Sequence, residues 1–122
     1  MVTNEQAQAL ADRWIAAWNA HDLAAILALY CDDFTMRSPY IADVVGDASG
    51  QLCGKDAVGA YWRRALQKYP ELKFELLHVL TGVDSVALVY RSLGGRLANE
   101  VFVLAPDGRI AAASALYAPV SV

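Results

Sequence analysis

Charge is scarce in this chain: 19% of its residues are Asp, Glu, Lys or Arg, against 57% hydrophobic. Apart from Arg63-Arg64 there is no Lys/Arg cluster, and the net charge is -3. No electrostatic footprint for a nucleic-acid partner is left, and the arginine pair reads as a solvated helix face. Cysteine is limited to Cys31 and Cys53, which have no metal-ligand spacing. In a chain with no basic segment followed by an apolar run at its start, they are expected to be reduced thiols. No apolar run reaches membrane-spanning length, so a cytoplasmic chain with no membrane partner is expected. Repeats, low-complexity tracts and linkers are also missing. The 122 residues suit one domain, 1–122, which buries about two-thirds of its unfolded surface. The adjacent carboxylates Asp32 and Asp33 diverge at a helix end, so no metal is expected.

What the chain has in excess is apolar surface, more than one small core hides easily. That excess predicts a homodimer, a ligand cavity, or both. Ala7, Leu10, Ala11, Trp14, Ile15 and Trp18 recur at steps of three and one and form one face of an amphipathic helix. Thr3 and Gln6 offer a capping box at its start. Asn19-Ala-His-Asp22 breaks the pattern. Asp22 is placed to cap a second helix carrying Leu23, Ile26, Leu27 and Tyr30, which ends at Asp32-Asp33. Phe34 to Ser38 then alternate as a short strand stopped by Pro39, with Phe34, Met36 and Ser38 on one face.

The segment Tyr40 to Cys53 reads as an irregular loop, and its apolar Val44-Val45 suits either a lid over a pocket or a dimer contact. Gly54-Lys-Asp56 opens a third helix bearing Val58, Tyr61, Trp62, Ala65, Leu66 and Tyr69, which Pro70 ends. Four strands follow: Lys73–Leu80, Val86–Arg91 (apolar enough to be covered on both sides), Leu97–Leu104 and Ile110–Tyr117. Turns at Gly82–Ser85, Leu93–Arg96 and Pro106–Gly108 separate them.

Trp14 to Pro39, the Gly54-Lys-Asp-Ala-Val-x-x-Tyr-Trp62 helix opening and the hairpin Glu100-Val-Phe-Val-Leu-Ala-Pro-Asp-Gly-Arg-Ile110 together resemble the nuclear transport factor two-like superfamily. The resemblance is to its SnoaL-like and ketosteroid-isomerase-like branch. It implies an α+β, cystatin-like cone: three N-terminal helices packed on a strongly curved, mainly antiparallel sheet that encloses a pocket. The superfamily hosts isomerases, cyclases, dehydratases, epoxide hydrolases and proteins with no chemistry.

Carried over residue by residue, the isomerase pattern mostly fails. Trp14 matches the oxyanion-hole tyrosine, Glu100 the protonated aspartic acid and Ser38 the proton-shuttling aspartate. Trp14 keeps an indole N–H to donate, but Ser38 has no useful basicity without a partner, so isomerisation of steroid double bonds by that route is not expected. The arginine-aspartate set of the epoxide hydrolases and the acid/base aspartate of the cyclases are absent from the last two strands.

Glu100 is left as the candidate acid/base, with Ser38 beside it. Alternation places Glu100 with Phe102 and Leu104, and the resemblance aims it into the cavity, where burial favours the neutral acid. A slip of one residue sends it to the other face, to a sheet edge or to a pairing with Arg91 or Arg96. His78 alternates with Phe74 and Leu76 and either faces the cavity or is hydrogen-bonded within the sheet, the commoner fate. His21 needs only a solvated or capping role. Trp14, Trp18, Met36, Tyr40, Tyr61, Phe102 and Tyr117 are the expected substrate-binding wall.

The expected function is therefore cofactor-free handling of a hydrophobic carbonyl or hydroxyl compound. Noncatalytic binding of a hydrophobic metabolite and a protein-interaction domain are the alternatives. The expected homodimer pairs through the sheet face.

Overall fold

The computed structural model describes residues 1–119. Helix α1 spans Asn4–Asn19 and begins at the expected capping box: Thr3 Oγ1 accepts the Gln6 N–H, and Gln6 Oε1 accepts the Thr3 N–H at 2.9 Å. Its buried face is Ala7, Leu10, Ala11, Trp14, Ala17 and Trp18. Asp22 caps the short helix α2, Leu23–Leu27, by accepting the Ala25 N–H.

Tyr30 does not belong to that second helix, which stops three residues short of it. It opens strand β1, Tyr30–Arg37, whose ladder with the last strand is irregular between Tyr30 and Thr35. Both Asp32 and Asp33 therefore face solvent, while Tyr30 and Phe34 share the core side. A spacing of four made by a distorted strand mimics a helical repeat.

The segment after Ser38 also differs from the expected irregular loop. Ser38 is an N-cap and Pro39 the first residue of helix α3, Pro39–Val45, which Gly46 ends in the left-handed region at φ 75°. Strand β2, Gln51–Cys53, then pairs antiparallel with β1. The Pro39 that stops the strand also starts a helix, which makes four α-helices among the described residues rather than three.

Helix α4, Lys55–Lys68, buries Val58, Tyr61, Trp62 and Ala65 as its spacing predicts. The remaining strands are β3 (Glu75–Thr81), β4 (Ser85–Arg91), β5 (Leu97–Leu104) and β6 (Ile110–Tyr117). They form an antiparallel meander, and β1 joins its end in parallel to give the six-stranded order β2-β1-β6-β5-β4-β3.

Cross-strand partners fix the two faces of this sheet. One carries the rows Tyr90-Ala98-Tyr117, Leu88-Glu100-Ala115 and Val86-Phe102-Ala113, and packs against the helices through a single core. The other carries Val89-Asn99-Leu116, Ala87-Val101-Ser114 and Ser85-Val103-Ala112. The apolar run of β4 predicts cover on both faces, but Ala87 and Val89 on this outer side are only half-buried.

Candidate functional site

Small residues open the site and large ones wall it. Glu100 lies on β5 opposite Ala115, one row from Ala98, and alanines leave room above the sheet where larger side chains would fill it. Tyr90 and Tyr117 flank Ala98 in the next row. The resulting narrow cavity, about 50 Å³, holds space for a few waters. Helix α1 closes it with Trp14 and Trp18, and α4 with Tyr61 and Trp62. Met36 and Ser38 come from the end of β1, Tyr40 from α3. Eight of the nine residues expected at the site thus meet at one cavity: Glu100, Ser38, Trp14, Trp18, Met36, Tyr40, Tyr61 and Tyr117.

Phe102 is the exception. It has the expected facing but lies deeper along the strand, fully buried, with its ring edge-on to Trp14 at 5.8 Å and to Tyr30 at 6.3 Å. It is core beneath the cavity rather than its wall. His78 is also displaced: a break in the β3–β4 ladder between Leu76 and His78 turns its side chain outward, where it is exposed. Among the described residues it makes no side-chain hydrogen bond.

Glu100 is 3% exposed, and Tyr90 donates its hydroxyl proton to Oε1 at 3.2 Å. Neither candidate arginine reaches it. Arg96 Nε donates to the Ala118 carbonyl at 2.7 Å, and Arg91 Nη1 points to the Gly95 carbonyl at 3.4 Å. Burial without a cation therefore pushes the carboxyl up to about 8, against a smaller opposing effect of the Tyr90 hydrogen bond. Near neutral pH it is mostly the protonated acid. Desolvation, reinforced by the nearby Glu100, also holds the phenols of Tyr30, Tyr90 and Tyr117 well above their ordinary range; burial does the same for Tyr61.

One expected donor is committed elsewhere. The Trp14 indole N–H donates to the Tyr30 hydroxyl at 3.0 Å, so its oxyanion-hole role is taken up inside the core. Ser38 Oγ accepts the Tyr40 N–H at 3.2 Å as the cap of α3, and its hydroxyl still faces the cavity phenols Tyr61 and Tyr117. The buried Trp18 indole nitrogen, by contrast, has no partner among the described residues.

Sequence reasoning missed the brace behind this wall. Asn19 brackets the backbone of Phe74, donating from Nδ2 to its carbonyl at 2.9 Å and accepting its N–H at 2.7 Å. His21, at φ 54°, brings Nε2 within 2.8 Å of the Leu72 carbonyl. Together they hold Leu72 and Phe74 at the cavity edge. The only local signal is a pair of polar residues where a helical stripe stops.

The SnoaL-like domain profile matches residues 11–116. The chain belongs to the SnoaL-like family. A SnoaL-like protein of unknown function from Burkholderia thailandensis is 53% identical over 98% of this chain and 100% of its own, with a TM-score of 0.92. Two more distant structures share the fold. A protein of cystatin-like fold from Methylobium petroleophilum is 14% identical (99% and 81% of the two chains, TM-score 0.77). SalBIII, an epoxide hydrolase/cyclase-like enzyme in pyran ring formation in the polyether salinomycin, is 21% identical (97% and 95%, TM-score 0.74). No curated protein matches the sequence. SnoaL-like membership agrees with the α+β cone expected from sequence, with one helix more. No helix among the described residues is long and apolar enough to cross a membrane.

Proposed function

We propose that this SnoaL-like protein is a small-molecule enzyme of the isomerase, cyclase or dehydratase type, independent of a cofactor. Glu100 serves it as acid/base or hydrogen-bond donor toward the carbonyl or hydroxyl of a hydrophobic compound. The observation that carries this reading is the Glu100 carboxyl itself, buried at an aromatic cavity with no cation beside it. Buried carboxyls with strongly raised values cluster at functional sites, and a carboxyl titrating near 8 can give or take a proton at working pH. Ketosteroid isomerisation by the usual route falls outside this reading, because Ser38 replaces the shuttling aspartate and has no basic partner to take its proton.

The missing shuttling aspartate also favours a second reading, noncatalytic binding of a hydrophobic metabolite. The two separate in one experiment: a thermal-shift screen of wild type and Glu100→Gln against steroids, aromatic polyketides and terpenoids, followed by product analysis on each hit. The enzyme reading predicts stabilising hits that the wild type converts and the variant does not. Tight binding without product supports the metabolite carrier.

The reading includes a homodimer formed through the outer sheet face. Its three central rows contain no charged residue, so a two-fold axis that sets each residue near its own copy brings no like charges together. Leu97, Val103 and Leu116 are exposed there. Light scattering of the eluting protein should give twice the 13.2 kDa chain mass. A cytoplasmic setting belongs to the same reading and is supported by the unpaired thiols of Cys31 and Cys53.

A further inference from the structure

We infer that the ligand of this cavity is a small organic cation, a protonated amine or quaternary ammonium compound, seated on the aromatic walls with Glu100 as its counter-ion. The inference rests on the reading of the cavity as a ligand site and narrows the class of compound it takes. Sixteen residues line the cavity, of which nine are aromatic and none is Lys, Arg or His. Glu100 is the one carboxyl among them. The faces of Trp, Tyr and Phe are the negative ends of their quadrupoles and attract a cation within about 6 Å of the ring centre.

Around Glu100 the facing groups are Trp14 from α1, Tyr30 from β1, Tyr61 from α4, Tyr90 from β4 and Tyr117 from β6. Burial holds all four phenols neutral at working pH. The walls therefore offer polarised rings and hydroxyls but no full charge, and the carboxyl lacks a counter-charge of its own. A neutral ligand leaves the carboxyl as the protonated acid it already is near neutral pH, whereas a cation draws the carboxylate form out of it. An anionic ligand meets Glu100 with no compensating cation. A compact organic cation satisfies the carboxylate and the ring faces together, and it does so where desolvation strengthens both attractions.

Two rings of the cavity already hold cations. The Arg96 guanidinium lies 5.0 Å from the Tyr117 ring centre and the Lys68 ammonium 5.5 Å from that of Tyr69, while neither basic residue lines the cavity itself. Glu100 beside a bound cation is ionised, because an opposite charge at contact distance favours the carboxylate. In the bound state it is then a base or an acceptor rather than an acid. Binding below about pH 8 releases the carboxyl proton to solvent.

The test compares choline with its neutral carbon isostere, the alcohol in which carbon replaces nitrogen, by titration calorimetry on wild type and Glu100→Gln. Choline is expected to bind wild type about tenfold or more tighter than the isostere. Its N-methyl proton resonances should move upfield under the ring currents of the walls, and the preference should vanish in Glu100→Gln. Equal or tighter binding of the isostere by wild type overturns the inference while leaving the ligand site standing. An undiminished preference for choline in Glu100→Gln overturns Glu100 as the counter-ion. If neither probe binds nor shifts while the neutral screen gives hits, the cation inference alone fails; a blank from both sets removes the ligand site with it.

Discussion

Strand β5 shows two faces with inverted chemistry. Its helix-covered side carries Ala98, Glu100 and Phe102, and so buries a carboxyl. Its open side carries Leu97, Asn99, Val101 and Val103, and so leaves apolar side chains at or near the surface, Leu97 at 41% and Val103 at 39% exposure. A scattered exposed apolar residue needs no explanation, but a buried carboxyl and a continuous uncharged outer face both do. The difference teaches that the inner anomaly is local, one acid among rings, whereas the outer one is distributed over three strands. A ligand suits the first and a second protein surface the second.

The inner face should give the largest response, and it should depend on pH. Glu100 has an ordinary value of 4.5 and is raised to about 8 in the folded chain. As pH rises past about 4.5 the unfolded chain loses this proton while the folded chain keeps it, so stability is full below that point. It then falls until about pH 8 and levels off, by up to roughly 5 kcal/mol. Denaturant titrations across this range check the slope, and Glu100→Gln should abolish it and be the more stable protein above neutral pH.

Two neighbours on β5 sharpen the contrast. Phe102→Ala empties a fully buried site against Trp14 and Tyr30 and should cost about 3–5 kcal/mol. Val103→Ala, one residue along and on the open side, should stay within about 0.5 kcal/mol for the isolated chain. Equal costs, measured as denaturant midpoints, would mean the outer face is covered in solution even at the lowest concentration tested.

The brace comes next. Asn19→Ala removes both hydrogen bonds to Phe74 and should cost about 1–3 kcal/mol. It should also loosen ligand hits without changing the Glu100 titration, which carbon-detected NMR can follow. The smallest effect on the fold is expected from Leu116→Lys: about 0.5 kcal/mol or less, with the dimer lost in light scattering.

Elements whose local signals agree are legible in the amino-acid sequence. The bounds of β5 and β6 match their sequence reading because alternation and the Leu93–Arg96 and Pro106–Gly108 turns point the same way. The Thr3–Gln6 capping box and Asp22 mark the helix starts within a residue. Tyr30 and His78 depart from expectation for one reason, since an irregular pairing shifts every side chain beyond it and leaves no mark in composition. Pro39 departs because the same ring that stops a strand starts a helix well.

At the site, eight of nine expected residues gather, since the stripes of α1 and α4 follow from spacing and the family resemblance supplies the facing of β5 that alternation alone leaves open. Depth along a strand is another matter. Phe102 and Glu100 share a face, and only the packing of Trp14 and Tyr30 decides which of them borders open space. Asn19 and His21 act on backbone atoms more than fifty positions away, a distance no periodicity spans.

The most direct test is a pH titration of the Glu100 side-chain carboxyl by carbon NMR, assigned by comparison with Glu100→Gln. A midpoint near 8, unmoved by salt, is the result expected of a carboxyl buried among neutral rings with no cation of its own. A midpoint near 4.5, the ordinary value, would place Glu100 in water or beside a basic residue, and the ligand-site account would be contradicted at its centre.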